Sequence, residues 1–177
     1  MQATNELRRI AVIGAGAAGR DMALRSVRAG FDVVLEDVMP SRLRAVAQSF
    51  APDASPASLH LATTVEDAVR DADLAIDFVP DELESKLEIF SMLDRMAPPR
   101  TILLTPTTAL SIADLASCTY RADRCFGLRL EDAHRATLVR SSRSSQDVVA
   151  AVERWLARLG FTVSTVLDPA EPAAATR

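Results

Sequence analysis

Arg9-Ile-Ala-Val-Ile-Gly-Ala-Gly-Ala-Ala-Gly-Arg20 is the stretch from which the fold is read. An apolar run enters glycines spaced GxGxxG at Gly14, Gly16 and Gly19, the signature of a strand, a tight turn and a helix start. Gly14 permits the sharp turn, Gly16 lets backbone approach a pyrophosphate, and Gly19 lets the following helix pack close to the strand. The N–H groups of Ala17 and Ala18 open that helix, whose positive end favours an anion.

The flanking sequence completes the unit. Ile10 to Ile13 read as a buried parallel strand, Ala17 to Ala29 as a helix closed by Gly30, and Phe31 to Leu35 as a second strand ending at Glu36-Asp37. Asp37 stands roughly 20 residues beyond the first glycine, the place of an acid that binds a ribose 2′-OH and repels a 2′-phosphate. The expected cofactor is therefore NAD(H) in preference to NADP(H).

Downstream, strands and helices alternate with short connections. Strands are expected at Leu59 to Ala62, Asp73 to Val79, Thr101 to Thr105, Arg124 to Leu130, Ala136 to Arg140 and Phe161 to Leu167. Helices are expected from Pro40 or Ser41 to about Phe50, after the capping-box-like Thr64, from Glu82 to Met96, near Ser111 to Ala116, and from Ser144 to Leu159. Ala51 to Ser58 reads as loop. Leu83, Leu87, Phe90 and Leu93 form the apolar stripe of the long central helix, and Gly160 follows the last helix as its C′ residue. This pattern predicts an α/β fold: one domain over residues 1–167 with a doubly wound, mainly parallel sheet of Rossmann type, and a short flexible tail at 168–177.

Bulk properties narrow the function. The chain of 177 residues is 49% apolar and 25% charged, with a net charge of −4. Without a basic tract, nucleic acid is not an expected partner. No apolar run approaches about 18 residues, and the N-terminus lacks a signal-peptide core, so a cytoplasmic address and no membrane span are expected. Cys118 and Cys125 are expected reduced, and no metal site is expected. Of the 20 basic residues, Lys86 alone is lysine. That Ala- and Arg-rich bias looks like a GC-rich bacterial genome and singles out Lys86 for a chemical role.

Read in order, Val12-Ile-Gly-Ala-Gly-Ala-Ala-Gly19, Val33-Val-Leu-Glu-Asp37, Asp73-Leu-Ala-Ile-Asp-Phe-Val-Pro-Asp81, Leu87-Glu-Ile-Phe-Ser-Met-Leu-Asp94, Leu110-Ser-Ile-Ala-Asp-Leu115 and Arg124-Cys-Phe-Gly-Leu128 resemble the NAD-binding domain of the 3-hydroxyacyl-CoA dehydrogenases. The resemblance runs over nearly all of residues 8–167 and implies an oxidoreductase of fatty acid metabolism, with an acyl-CoA or related acyl substrate. It implies that Asp37 binds the ribose, Val79-Pro80 lies over the cofactor, Asp81 replaces a usual Glu, and Lys86 contacts the cofactor.

The catalytic positions depart from the family. Its Gly-Leu-His becomes Gly127-Leu128-Arg129, and a guanidinium cannot serve as a base near neutral pH. Asp132 falls on the substrate-contacting Asn, Thr108 on the substrate-binding Ser, and Arg140, allowing one deletion, on the Glu that orients the histidine. His134 and His60 are the remaining candidate bases, with surface positions as their plainer interpretation. The family's helical domain, which dimerises and closes the acyl pocket, has no counterpart in these residues; a homo- or hetero-oligomeric partner is expected to supply it, unless these residues are a fragment of a longer chain. Two functions follow: a non-catalytic or partner-dependent NAD-binding subunit, or an active NAD-dependent oxidoreductase with altered catalytic residues.

Overall fold

The computed structural model describes residues 6–49 and 58–170. Phe50 and all but the last residue of the expected loop, and residues 171–177 of the expected tail, lie outside them. Eight strands form one sheet in the order β3-β2-β1-β4-β5-β6-β7-β8. These are β1 (Arg9–Ile13), β2 (Asp32–Glu36), β3 (Leu59–Ala62), β4 (Leu74–Asp77), β5 (Ile102–Pro106), β6 (Cys125–Leu130), β7 (Arg135–Arg140) and β8 (Thr162–Leu167). The first six are parallel, in the 3-2-1-4-5-6 order of the Rossmann fold. β7 turns back antiparallel to β6, and β8 pairs parallel with β7.

Six helices cover both faces: α1 (Ala17–Arg28), α2 (Pro40–Ser49), α3 (Val65–Val69), α4 (Leu83–Met96), α5 (Ile112–Ala116) and α6 (Gln146–Arg158). Strand alternation sends Ile10 and Val12 into the core beneath α1, α2 and α6, and Ala11 and Ile13 into the core beneath α3, α4 and α5. Such two-sided burial is why these strands read as continuous apolar runs, each large side chain contributing about 1.5–3 kcal/mol relative to exposure. Thr64 caps its helix as the sequence suggests, accepting from Asp67 N–H, and Ser111 caps α5 by accepting from Asp114 N–H.

Two expectations need correction. Leu83 is 47% exposed, and the buried stripe of α4 is Lys86, Ile89, Phe90 and Leu93, because Lys86 occupies a core position. Asp168, the first residue of the expected tail, is buried: its Oδ2 accepts from Ile112 N–H (2.6 Å), Ala113 N–H (3.2 Å) and the Ser111 hydroxyl (3.0 Å). Burial opposes its charge, but these donors and Ala170 N–H hold the carboxyl below the usual range. Arg121 makes a comparable internal tie, donating to Asp94 Oδ1 (2.8 Å) and to the Asp94 carbonyl (2.7 Å) at the end of α4. Both cysteines are free. Among the described residues, no helix is long and apolar enough to cross a membrane.

Candidate cofactor site at the carboxyl edge of the sheet

The strand order reverses between β1 and β4, and the glycine turn sits at that switch point, where open α/β sheets place their ligands. Gly14 has φ +100°, a backbone that L side chains rarely adopt. A Cβ on Gly19 would lie 1.9 Å from the Gly14 carbonyl oxygen, so this glycine is required by the turn itself. A Cβ on Gly16 would meet nothing within 4 Å. The space in front of Gly16 is open, and no side chain caps the α1 N-terminus that begins at Ala17 and Ala18. These features fit a pyrophosphate.

Asp37 follows β2 and is bound into the same turn. Its Oδ2 accepts from Ala15 N–H (2.8 Å) and Arg42 (3.3 Å), and its Oδ1 accepts from Met39 N–H (2.8 Å). Burial pushes its pKa up, but these donors and the Arg42 charge outweigh it and hold Asp37 ionised, below the usual range. Arg42 was not singled out from the sequence; its spacing from Asp37 along the start of α2 is the signal that could have found it.

Phe78 and Val79 form a ridge after β4 with a cavity on each side. The first, about 440 Å³, is walled by Gly14, Glu36, Asp37, Arg42, Pro80 and Glu88, among others. The second, about 390 Å³, is walled by Asp81, Lys86, Thr107, Thr108 and Arg129 together with apolar groups. A dinucleotide laid across this edge would place its adenosine in the first cavity and its nicotinamide toward the second.

Lys86 is not a solvated lysine. Its Nζ donates to Asp77 Oδ1 at 2.8 Å, with the side chains 1% and 0% exposed. Burial pushes Asp77 upward while the ammonium pulls it back, and the net direction is up. Both were visible in the sequence, an acid inside an apolar strand and the sole lysine nine positions on, but their pairing was not.

In the second cavity, the Asp81 carboxylate joins two loops, accepting from Thr108 N–H (3.0 Å) and the Thr108 hydroxyl (3.2 Å). Burial opposes its ionisation, but the donors from Thr108 and Thr107 bring it below the usual range. Arg129 also stands in this wall, with its Nε buried and unpartnered among the described residues. Asp132 does not join them. It shapes the β6–β7 turn, accepting from the His134 and Arg135 N–H groups (both 2.8 Å) and from Arg135 Nε (2.7 Å).

Arg140 lies apart from Arg129. Strand register places Thr137 opposite Arg129, whereas Arg140 pairs with Phe126, three rungs away and on the other face. Thr137 donates its hydroxyl to Glu131 Oε1 at 2.6 Å. His134 lies exposed in the hairpin and His60 exposed on β3, and neither lines either cavity.

A six-stranded parallel core with an open glycine turn, an acid after the second strand and two flanking cavities defines a dinucleotide-binding domain of dehydrogenase type. The family described as "3-hydroxyacyl-CoA dehydrogenase, NAD binding domain" matches residues 51–168, and the chain belongs to it. A second family, "NADP oxidoreductase coenzyme F420-dependent", matches residues 9–84. The chain is 30% identical over 183 residues to the probable 3-hydroxybutyryl-CoA dehydrogenase of Bacillus subtilis, covering 92% of this chain and 63% of that protein. It is 32% identical over 130 residues to the L-carnitine dehydrogenase of Burkholderia mallei, covering 65% of this chain and 40% of that one. Among solved structures, the (S)-3-hydroxybutyryl-CoA dehydrogenase of Ralstonia eutropha superposes with a TM-score of 0.80 at 26% identity, over 92% of this chain and 64% of its own. The chain thus spans less than two thirds of the length of each of these relatives. NAD is the cofactor that the family defines.

Proposed function

We propose that this chain is an NAD(H)-binding domain of 3-hydroxyacyl-CoA dehydrogenase type whose own site lacks a general base, so that it is non-catalytic or acts only with a partner chain. The observation that carries this reading is Arg129 in the wall of the second cavity, at the position the family resemblance gives to its base, with Thr137 and no carboxylate as its cross-strand neighbour. Gly14, Gly16, Ala17, Ala18, Gly19, Asp37, Val79, Pro80, Asp81 and Lys86 hold the dinucleotide, which supplies the hydride chemistry when a competent site is completed. Names among the relatives include both 3-hydroxybutyryl-CoA and L-carnitine dehydrogenases, so a 3-hydroxyacyl-CoA is the first substrate class to test and a free hydroxy acid the second.

The cofactor assignment is tested by thermal shift. NADH at about 100 times its Kd is expected to add roughly 2.7 kcal/mol, a rise of about 5–10 °C for a domain of this size, and NADPH much less. Equal shifts would show that Arg42 offsets Asp37 at the 2′-position; no shift with either would defeat the dinucleotide assignment.

Turnover tests the rest. With acetoacetyl-CoA and NADH the unmodified chain is expected to show negligible oxidation of NADH, since the group that would donate a proton to the forming alkoxide is absent and with it general-acid help of about 10²–10⁴-fold. The double variant Arg129→His with Thr137→Glu is expected to gain measurably over the parent, while Arg129→His with Arg140→Glu gains no more than Arg129→His alone. Family-like turnover by the unmodified chain would favour the second reading, an active oxidoreductase in which the unpartnered Arg129 binds a carboxylate or polarises a carbonyl.

A further inference from the structure

Glu36 is the last residue of β2, held between Ile13 of β1 and Ala62 of β3. Its carbonyl accepts from Gly14 N–H at 2.8 Å, which ties its backbone to the glycine turn. The side chain lines the first cavity yet the residue is only 3% exposed, and Oε1 is buried with no hydrogen-bond donor among the described residues. An acid in this position is not needed to terminate the strand or to pack the core. Burying a carboxyl with an oxygen that no protein group pairs is unfavourable, and its place in the cavity wall points to a ligand there.

The charged groups around it leave it without a cation. Asp37 follows it directly; α2 contributes Arg42, which is bound to Asp37 at 3.3 Å; α4 contributes Glu88; β1 and α3 present Ile13 and Val65. An ionised Glu36 would therefore be a second negative charge beside Asp37. Burial first, and the Asp37 charge second, push its carboxyl up to about 7. Asp37, held by its own donors, stays ionised, so two adjacent acids divide into one charged and one neutral.

We propose that Glu36 binds the adenosine half of the cofactor as a neutral acid, donating a hydrogen bond to it, so that filling the first cavity is coupled to the uptake of one proton from solvent. This rests on the assignment of that cavity to the adenosine. The adenosine displaces water from around the carboxyl, and a drier site favours the neutral form further. Linkage then requires affinity to fall as pH rises, by about tenfold per pH unit once Glu36 of the free chain is ionised.

Calorimetric titration of the whole chain with NADH, in two buffers of different ionisation enthalpy, tests the coupling directly. Expected uptake is about half a proton at pH 7, approaching one at pH 8, with Kd rising in step. Glu36→Gln keeps a donor of the same shape; in that variant uptake should vanish and Kd should stay flat from pH 6 to pH 8.5, near the parent's value at pH 6. Absence of NADH binding at every pH would overturn the cavity assignment and the proposal with it. NADH binding without proton uptake, or with uptake that survives in Glu36→Gln, would overturn the proposal alone.

Discussion

Lys86→Ala is expected to destabilise the chain by about 3–5 kcal/mol, the range for removing one partner of a buried ion pair. The ammonium lies 2.8 Å from Asp77 Oδ1 with both side chains essentially inaccessible to water. Its loss leaves a carboxylate whose other oxygen, Oδ2, already has no hydrogen-bond partner among the described residues. For a domain of this size the melting temperature should drop by about 10–15 °C. A surface lysine would change stability by no more than about 0.5 kcal/mol, so chemical denaturation separates the two cases cleanly. Lys86→Met combined with Asp77→Asn should recover much of the loss, because it removes both charges together. A double variant no better than Lys86→Ala would show that the damage comes from lost packing along α4 instead of an unpaired charge. Any fall in NADH affinity in these variants has to be read after correcting for unfolded chain, since Lys86 also stands in the wall of the second cavity.

Gly19→Ala should be nearly as harmful, and for a purely steric reason. The added methyl would sit 1.9 Å from the Gly14 carbonyl oxygen and 3.3 Å from Phe78 Cδ2. The nearer obstacle is backbone in a turn already held at φ +100°, so it cannot rotate aside as a side chain could. A loss of about 3 kcal/mol or more is expected, at the upper end for overpacked sites, together with loss of NADH binding as the turn is displaced. Gly16→Ala is the control. Gly16 has φ −65° and open space where its Cβ would go, so the folded chain should keep its stability within about 0.5 kcal/mol. Its methyl would instead stand in the path of the pyrophosphate and weaken NADH. If both variants lose stability and binding in parallel, Gly16 is a structural residue and the pyrophosphate assignment falls.

Local signals in the sequence were enough for the elements and their order. GxGxxG between an apolar run and a helix, an acid after the second strand, the cap at Thr64, and Gly160 at φ +92° all depend on a few neighbouring residues, and each is where the local sequence put it. Alternating strands and helices then leave few topologies, because parallel strands need right-handed crossovers. What remained hidden were pairings between elements. The register that sets Thr137 and not Arg140 against Arg129 is fixed by the length of the β6–β7 hairpin, and a miscount of a few residues moves a side chain along the strand or to the opposite face. Asp168 caps α5 from 56 residues away, and Lys86 is buried on α4 against Asp77 of β4 while Leu83 stays exposed. Propensity and spacing act over a few residues and so can be read along the chain, whereas the burial of a charge depends on which distant group meets it, and only the packed structure settles that.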